Sequence, residues 1–221
     1  LDRQVLEVRE RLLGPEHPDT LTNKSILADL LSNKGEYKEA EVLERQVLEV
    51  RERLLGPEHP DTLTNKSILA DLLSNKGEYK EAEVLDRQVL EVSERLLGPE
   101  HPDTLIIKQN FAVFLRDKSN HPEKSIPLLE EILVIRRKQN NQKDLSSILT
   151  ALGTSLGKCK IYDNAISCLL ESIDIRRQFN IKTSLVQSLN RLADIYDQSG
   201  DKNKVIEVRT EAEGLTKNNK D

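Results

Sequence analysis

The sequence predicts an all-α protein, an α-solenoid built from stacked antiparallel helix pairs. Its main evidence is an internal repeat: the segment Leu13–Leu21 recurs without change at Leu55–Leu63 and at Leu97–Leu105, a step of 42 residues. Between these segments, apolar residues return every three or four positions, as on one face of an amphipathic helix. Aromatic residues make up 3% of the chain and tryptophan is absent, whereas strong helix formers dominate.

Local signals place two helices in each step. After a first helix over 1–13, we expect one helix over about 19–33 and a longer one over about 38–55. Gly14 is predicted to end its helix in a left-handed conformation, and Gly35 to break the chain between the two helices. Because paired helices of this kind cannot bury their apolar faces alone, they must stack on the next pair.

The same apolar pattern continues after the identity ends at Leu105, and it predicts a core. In the first helix, Leu1, Val5, Val8 and Leu12 share one face. The core positions predicted in the following helices are Leu27, Ala28, Leu30, Leu31, Ala40, Leu43, Val47, Val50, Leu69, Ala70, Leu73, Ala82, Val89, Phe111, Ala112, Leu115, Ser125, Leu129, Ile132, Leu152, Gly153, Leu156, Ala165, Leu169, Leu192, Ala193, Tyr196, Val205 and Ala212.

Several of these residues form a known pattern. The pattern consists of Leu27, Ala28 and Leu31 in the first helix, Gly35 and Tyr37 in the turn, and Ala40 in the second helix. The Leu-Gly-Pro-Glu-His-Pro-Asp-Thr linker belongs to the same pattern. The unit thus resembles the 42-residue tetratricopeptide repeat of kinesin light chains. This resemblance implies a right-handed superhelix. Glu44 and Asp86 depart from the pattern, which usually has a large apolar residue there, and this departure predicts looser packing.

We expect one repeat array over residues 1–221. Residues 1–13 are the second helix of a truncated repeat, and 217–221 are expected to be a frayed tail. The successive units between them are predicted at 15–55, 57–97, 99–139, 142–180 and 181–216.

Composition argues against several classes of function. The net charge is −5, without the basic footprint that nucleic-acid binding requires. No stretch of about twenty apolar residues predicts a membrane span. Only two cysteines, Cys159 and Cys168, are present, which favours a reducing, cytoplasmic location over a disulfide framework.

No catalytic, cofactor or metal site is predicted. His17, His59 and His101 recur with acidic neighbours, but zinc ligands lie about 2 Å from the ion and packed helices lie about 8–10 Å apart, so copies in successive units cannot share one. We interpret these histidines as residues that shape the linker turn. Neither a glycine-rich phosphate loop nor a converging Ser/His/Asp set occurs, so the chain is not expected to be an enzyme.

The resemblance implies a binding surface instead. In this family the first helices of successive pairs line a concave groove that receives a peptide or partner protein. Asparagine amides in that groove can hydrogen-bond a peptide backbone, and Asn110 and Asn190 keep such amides, whereas the first two units have Ser-Ile-Leu-Ala. The groove positions map to Ser25, Ile26, Asp29, Ser67, Ile68, Asp71, Gln109, Asn110, Val113, Arg116, Thr150, Thr154, Asn190, Arg191 and Asp194.

Two other interpretations stay open. The inner face could be solvated and hold no ligand. The near-identical copies also suit a structural or self-assembling spacer inside a larger signalling protein with an NTPase domain. Because neither end carries an obvious polar cap, we expect further repeats upstream and end-to-end association of this chain.

Overall fold

A computed structural model describes residues 2–217, and every regular element in that range is an α-helix. Leu1 and residues 218–221 lie outside the described part, and with them most of the predicted tail; Lys217 ends the last helix. The helices are α1 Asp2–Leu13, α2 Pro18–Asn33, α3 Tyr37–Leu55, α4 Pro60–Lys76, α5 Tyr79–Leu97, α6 Pro102–Asp117, α7 Pro122–Lys138, α8 Gln142–Lys158, α9 Tyr162–Gln178, α10 Lys182–Ser199 and α11 Lys202–Lys217.

The chain forms two compact units, Leu1–Ile107 and Lys108–Asp221, and the boundary falls inside α6. In the first unit, each helix from α1 to α5 packs against the next. In the second unit, the same holds from α7 to α11, and α8 also touches α10. Each unit therefore consists of stacked antiparallel helix pairs, as predicted.

The predicted core positions are buried in all five pairs. Ala40, Val47, Leu73, Leu129, Leu169 and Ala193 are almost fully inaccessible to solvent, and Leu30, Leu43 and Val50 are half-buried. Small residues allow helices to approach closely. At Gly153, for example, an added Cβ would lie 2.9 Å from Leu169 Cγ and 3.0 Å from the Ala165 carbonyl oxygen. The spacing of apolar residues at every three or four positions therefore predicted the buried face of these helices correctly.

In the three identical linkers, the same histidine caps the N-terminus of the helix that follows. His17 is the N-cap residue of α2, and its Nδ1 accepts a hydrogen bond of 3.2 Å from the backbone N–H of Asp19. His59 and His101 make the same bond with the same length one and two steps later. This bond satisfies one of the orphan N–H groups at the helix start. The prediction that these histidines shape the turn is confirmed.

The glycine that ends each long helix takes a different conformation from the one predicted. Gly14 has a positive φ of 95°, and its copy Gly56 has φ 94° and ψ 160°. The expected left-handed helical conformation has ψ near 45°. The observed conformation belongs instead to a region that only glycine adopts readily. The linker leaves the helix in an extended direction, and this explains the difference.

Replacing Gly56 with alanine is expected to destabilise the chain by about 1–3 kcal/mol, the usual cost of a residue held in a sparsely populated backbone region. An added Cβ would meet no atom within 4 Å, so the cost is conformational rather than steric. Chemical denaturation measures it. Gly214→Ala is the control, because Gly214 lies within α11 without a positive φ and also has open space around it. Equal effects of the two substitutions would contradict the prediction.

The first helix presents an exposed apolar face. Val5, Val8 and Leu12 are exposed, and among residues 3–13 of this helix only Leu6 is buried, which the sequence pattern did not indicate. Val47, which occupies the Val5 position one step later, is fully buried. The difference arises because α3, which carries Val47, packs against both α2 and α4, whereas the main packing of α1 is against α2.

Candidate partner-binding surfaces

A groove of about 590 Å³ runs across the first helices of the second unit. It is bordered by α6, α8 and α10, with one side chain from α9. Its lining residues are Val113, Arg116, Ser147, Thr150, Ala151, Thr154, Arg176, Ser184, Gln187, Asn190, Arg191 and Asp194.

Seven of the nine groove residues predicted in this unit border that space: Val113, Arg116, Thr150, Thr154, Asn190, Arg191 and Asp194. Gln109 and Asn110 lie on α6 outside the lining, half-buried and exposed respectively. The helical repeat therefore brings residues about 40 positions apart in sequence onto one surface.

Two polar groups in this groove are free. Asn190 and Arg191 are exposed on α10, and neither has a hydrogen-bond or ion-pair partner in the described part of the chain. Asp194, one turn further along, lies 3.7 Å from Arg209 Nη2. The Asn190 amide can both donate and accept, and the guanidinium of Arg191 offers a fork of donors. Both are therefore available to a ligand.

The threonine side chains point their hydroxyls inward instead. Thr150 Oγ1 donates to the Ser146 carbonyl oxygen at 3.0 Å and shares short contacts with Ser172 Oγ at 2.8 Å and Ser188 Oγ at 2.9 Å. Thr154 Oγ1 donates to the Thr150 carbonyl oxygen at 2.8 Å. These hydroxyls are occupied, so the two threonines offer a ligand mainly their methyl groups.

Arg116 is held in place by an ion pair. Its Nε and Nη2 donate to the two carboxylate oxygens of Asp117 at 3.0 and 2.5 Å, and its Nη1 donates to the Ala151 carbonyl oxygen at 3.3 Å. Lys158 Nζ adds a bond of 2.9 Å to Asp117. The Arg116 bonds, together with Lys158, hold the pKa of Asp117 well below its usual range. Arg116 therefore supports the groove wall more than it offers a free charge.

Arg176 is a groove residue that the sequence analysis missed. It lies on α9, is only 4% exposed, and donates to Ser188 Oγ at 2.5 Å and to the Ser184 carbonyl oxygen. Longer bonds reach Ser146. Among the described residues no carboxylate pairs with it, and burial lowers its pKa. Arg176 follows Ala165, Leu169 and Ser172 at helical spacing, which places it on the buried face of α9. This spacing was visible in the sequence and could have predicted the burial of Arg176.

The first unit holds a smaller cavity of about 140 Å³ with an acidic lining. It lies between α2, α3 and α4, and three of the six groove residues predicted in this unit border it: Asp29, Ile68 and Asp71. Its other lining residues are Ala28, Ser32, Glu44, Leu72 and Asn75. Among the residues that the structure describes, no basic side chain borders this cavity.

The other three predicted residues of this unit lie elsewhere. Ile26 is exposed and borders none of these spaces, and Ser25 Oγ donates to Glu44 Oε2 at 3.3 Å. Ser67 borders a separate cavity of about 360 Å³, whose apolar lining includes Val89, Leu96 and Leu97. The sequence pattern thus placed these residues on the first helices but did not distinguish the sides they face.

The acidic side chains that depart from the repeat pattern have shifted pKa values. Burial raises the pKa of Glu44, although hydrogen bonds from Ser25 and Asn65 partly oppose it. Burial raises the pKa of Asp86 to about 7, and the negative charge of Asp71 contributes. Both groups occupy apolar positions of the pattern, and desolvation disfavours their charged form.

The raised pKa of Asp86 gives stability a pH dependence. The folded chain binds this proton more tightly than the unfolded chain, so the contribution of Asp86 to stability is fully present below about pH 4 and is lost as pH rises to about 7. Asp86→Asn should therefore raise the free energy of unfolding at pH 8 by about 1–2 kcal/mol, a value reduced for partial exposure. Urea denaturation at pH 5 and pH 8 measures the effect. The exposed Glu49→Gln is the control, and an equal gain at both pH values would contradict the assignment.

Other kinds of site receive no support from residues 2–217. No group of three or more His, Cys, Asp or Glu side chains in that range is arranged to hold a metal ion. Cys159 and Cys168 are free, half-buried thiols, and burial raises the pKa of both. None of the described helices combines the length and apolar character that a membrane span needs.

Comparison with known families agrees with the repeat geometry. The family model of the tetratricopeptide repeat (TPR) matches residues 1–19, 24–61 and 66–103. These matched segments are tetratricopeptide repeats. The matched segments fall in the near-identical copies and follow the 42-residue step, so the resemblance noted in the sequence is confirmed there. By sequence, no curated protein matches the chain.

Solved TPR structures show the same fold over nearly the whole chain. The nearly identical TPR-like repeats of a kinesin light chain-like protein from Podosopora anserina superpose with a TM-score of 0.81 at 22% identity, covering 92% of this chain and 98% of that chain. BtubC (BKLC) from P. vanneervenii gives 0.77 at 22% identity, covering 97% and 88%. YrrB, a TPR protein with an unusual peptide-binding site, gives 0.56 at 17% identity, covering 95% and 90%.

Proposed function

We propose that this TPR chain is a non-catalytic scaffold that binds a peptide or partner protein along the groove of its second unit. The observation that carries the proposal is the composition of the groove of about 590 Å³. Within the described part of the chain, it combines an unpaired asparagine amide and an unpaired guanidinium with a buried arginine that no carboxylate neutralises. Arg176 also bonds serines of α8 and α10, but the Asn190 amide and the Arg191 guanidinium have no partner in the described part of the chain, and they suit recognition of an extended chain.

The groove chemistry favours particular contacts. Asn190 can bond both the N–H and the C=O of a peptide backbone, which is independent of peptide sequence. Arg191 and the uncompensated charge of Arg176 attract an acidic side chain or a terminal carboxylate. Apolar walls come from Val113 and Ala151. The peptide-binding site of YrrB, a protein with this fold, supports the same use of the surface.

Peptide display tests the proposal. A random library of peptides of about twelve residues, a length that spans several helices of a groove, is selected against the chain, and an enriched peptide is synthesised. Asn190→Ala with Arg191→Ala should weaken its binding by about tenfold or more, since the two lost groups contribute about 0.5–3 kcal/mol each. Isothermal titration calorimetry measures the dissociation constants.

The matched control replaces one amide and one arginine on the second helix of the preceding pair. Asn164→Ala with Arg177→Ala changes exposed residues of α9 that do not border the groove. This control should leave peptide affinity unchanged. If it weakens binding as much as the groove variant does, or if the groove variant binds normally, the proposal is wrong.

A second candidate function is self-assembly as a structural spacer. It is favoured by the uncovered face of α1, where Val5 is 40% exposed while its copy Val47 is fully buried. Exposed apolar faces at a repeat end can join head to tail, a contact that need not close. Light scattering should then show a mass that grows with concentration and returns to monomer in Val5→Glu with Val8→Glu. A monomer at all concentrations would exclude this candidate.

We further propose that the units at 15–55, 57–97, 99–139, 142–180 and 181–216 work as one array in the cytoplasm. The two free thiols support a reducing compartment. The net charge of −5 supports a protein partner over a nucleic acid. The spacer hypothesis includes an array that serves as the sensor part of a larger signalling protein. An NTPase domain encoded next to this chain in the parent gene would favour that role, and the sequence of the gene tests for it.

A further inference from the structure

The acidic cavity of the first unit is built around a buried carboxyl group. Glu44 borders the cavity and is nevertheless 0% exposed. Its Oε2 accepts hydrogen bonds from Ser25 Oγ at 3.3 Å and from the Asn65 amide. Its Oε1 has no hydrogen-bond partner in the described part of the chain. An orphan oxygen of this kind costs free energy unless a further group satisfies it.

The same position is acidic in the next unit, where Asp86 occupies it, and apolar in the two units after that. Counting from the small residue that starts each second helix, Glu44 corresponds to Leu129 and Leu169, and both leucines are fully buried. A leucine therefore fits this site in the same fold. A carboxyl group is therefore not needed for packing at this position, and the presence of Glu44, like that of Asp86, needs another explanation.

The cavity is lined by acidic side chains without a basic one. Asp29, Asp71 and Glu44 border it, and no lysine or arginine of residues 2–217 does. Neither Asp29 nor Asp71 forms an ion pair in the described part of the chain; Asp29 accepts only a bond of 3.3 Å from Asn33. The positive charge of Arg51 acts on Glu44, but Arg51 does not border the cavity, and its Nη1 donates to the Asp61 carbonyl oxygen at 3.1 Å.

We propose that this cavity receives one lysine or arginine side chain of a bound peptide. Its volume of about 140 Å³ suits a single long side chain rather than a folded segment. Ala28, Ile68 and Leu72 provide apolar wall for the methylene stem, and Asp29 and Asp71 face the charged head with Glu44 buried beside them. This subsite proposal depends on the proposed function in one respect: the lysine or arginine side chain belongs to a bound peptide.

A small probe separates this subsite from the groove of the second unit. n-Butylammonium reproduces the lysine side chain, and butan-1-ol has the same stem without the charge. Amide chemical shifts of Ile68, Asp71 and Leu72 should move with n-butylammonium and stay nearly unchanged with butan-1-ol. Asp29→Asn and Asp71→Asn should each weaken the interaction about three- to fivefold, the range of a partly exposed ion pair. Glu49→Gln, an exposed change on α3, should leave it unchanged.

Three results would overturn the proposal. They are equal shifts with both probes, which would indicate an apolar pocket; shifts with Ca²⁺ but not with n-butylammonium; and normal n-butylammonium binding in Asp71→Asn. Circular dichroism checks that each variant is folded. Because the probe is not a peptide, this test can succeed when peptide selection on the second unit fails. Conversely, a selected peptide whose affinity depends on Asn190 and Arg191 supports the groove of the second unit, and the n-butylammonium result alone then accepts or rejects the subsite of the first unit.

Discussion

Replacing Glu44 with leucine and Asn65 with isoleucine is expected to stabilise the chain by about 2 kcal/mol, within the range of about 1–4 kcal/mol seen when buried polar or ionic groups give way to packed apolar ones. The double variant copies residues that the chain itself uses. Leu129 occupies the Glu44 position in a later unit, and Ile107 lies 42 residues after Asn65. The single variant Glu44→Leu should gain less, because it leaves the fully buried Asn65 amide without its acceptor.

Urea denaturation at pH 7 measures both variants against the parent chain. A double variant less stable than the parent would mean that the bonds among Glu44, Asn65 and Ser25 stabilise the unit more than they cost. A gain in stability together with lost n-butylammonium binding would show that a carboxyl group in the core is retained for a ligand rather than for the fold.

Leu149→Ala is expected to destabilise the chain by about 3 kcal/mol, within the range of about 2–5 kcal/mol for a buried leucine that leaves a cavity. Leu149 is fully buried on α8 and packs with Leu145 and Ile175. Because each pair in a repeat array depends on its neighbours, the loss should lower the cooperativity of unfolding as well as its midpoint.

Leu170→Ala provides the control for this prediction. Leu170 lies on α9 and is 42% exposed, so its truncation should cost less than about 1 kcal/mol. Thermal and urea denaturation, followed by circular dichroism, compare the two variants. A similar cost for both would show that the burial pattern of the second unit is not what stabilises it.

Most of the fold follows from the sequence because it depends on periodicity. The 42-residue copy located the linkers, and the three- and four-residue spacing located positions such as Ala40, Leu129 and Ala193. The conformation of Gly56 did not follow, because a glycine indicates a positive φ without specifying ψ. The burial of Leu6 did not follow either, since the residues that α1 contacts depend on which neighbouring helices the chain supplies.

The candidate sites were less predictable. Seven residues that the family pattern assigns to the groove border one space in the second unit, because they share a register on successive first helices. Arg176 comes from a second helix, where the family pattern expects packing rather than binding. Glu44 was recognised as a departure from the pattern, but its orphan oxygen and the adjacent cavity depend on side-chain positions that spacing does not encode.

The two surfaces differ in charge, and this difference predicts their preferences. The groove of the second unit holds the free Arg191 and the buried Arg176, so it favours an acidic group. The cavity of the first unit is bordered by Asp29, Asp71 and Glu44, so it favours a basic one. Higher salt should weaken both interactions, the exposed contacts at Arg191 and Asp71 most strongly.

The central claim is that the groove of the second unit holds a peptide, and backbone amide chemical shifts of the chain with a selected peptide test it most directly. The account predicts the largest shifts on α8 and α10, around Thr150, Thr154, Asn190 and Arg191, and small shifts on the exposed face of α9 around Asn164. Shifts concentrated on α9 and α11, with α8 and α10 unchanged, would contradict it.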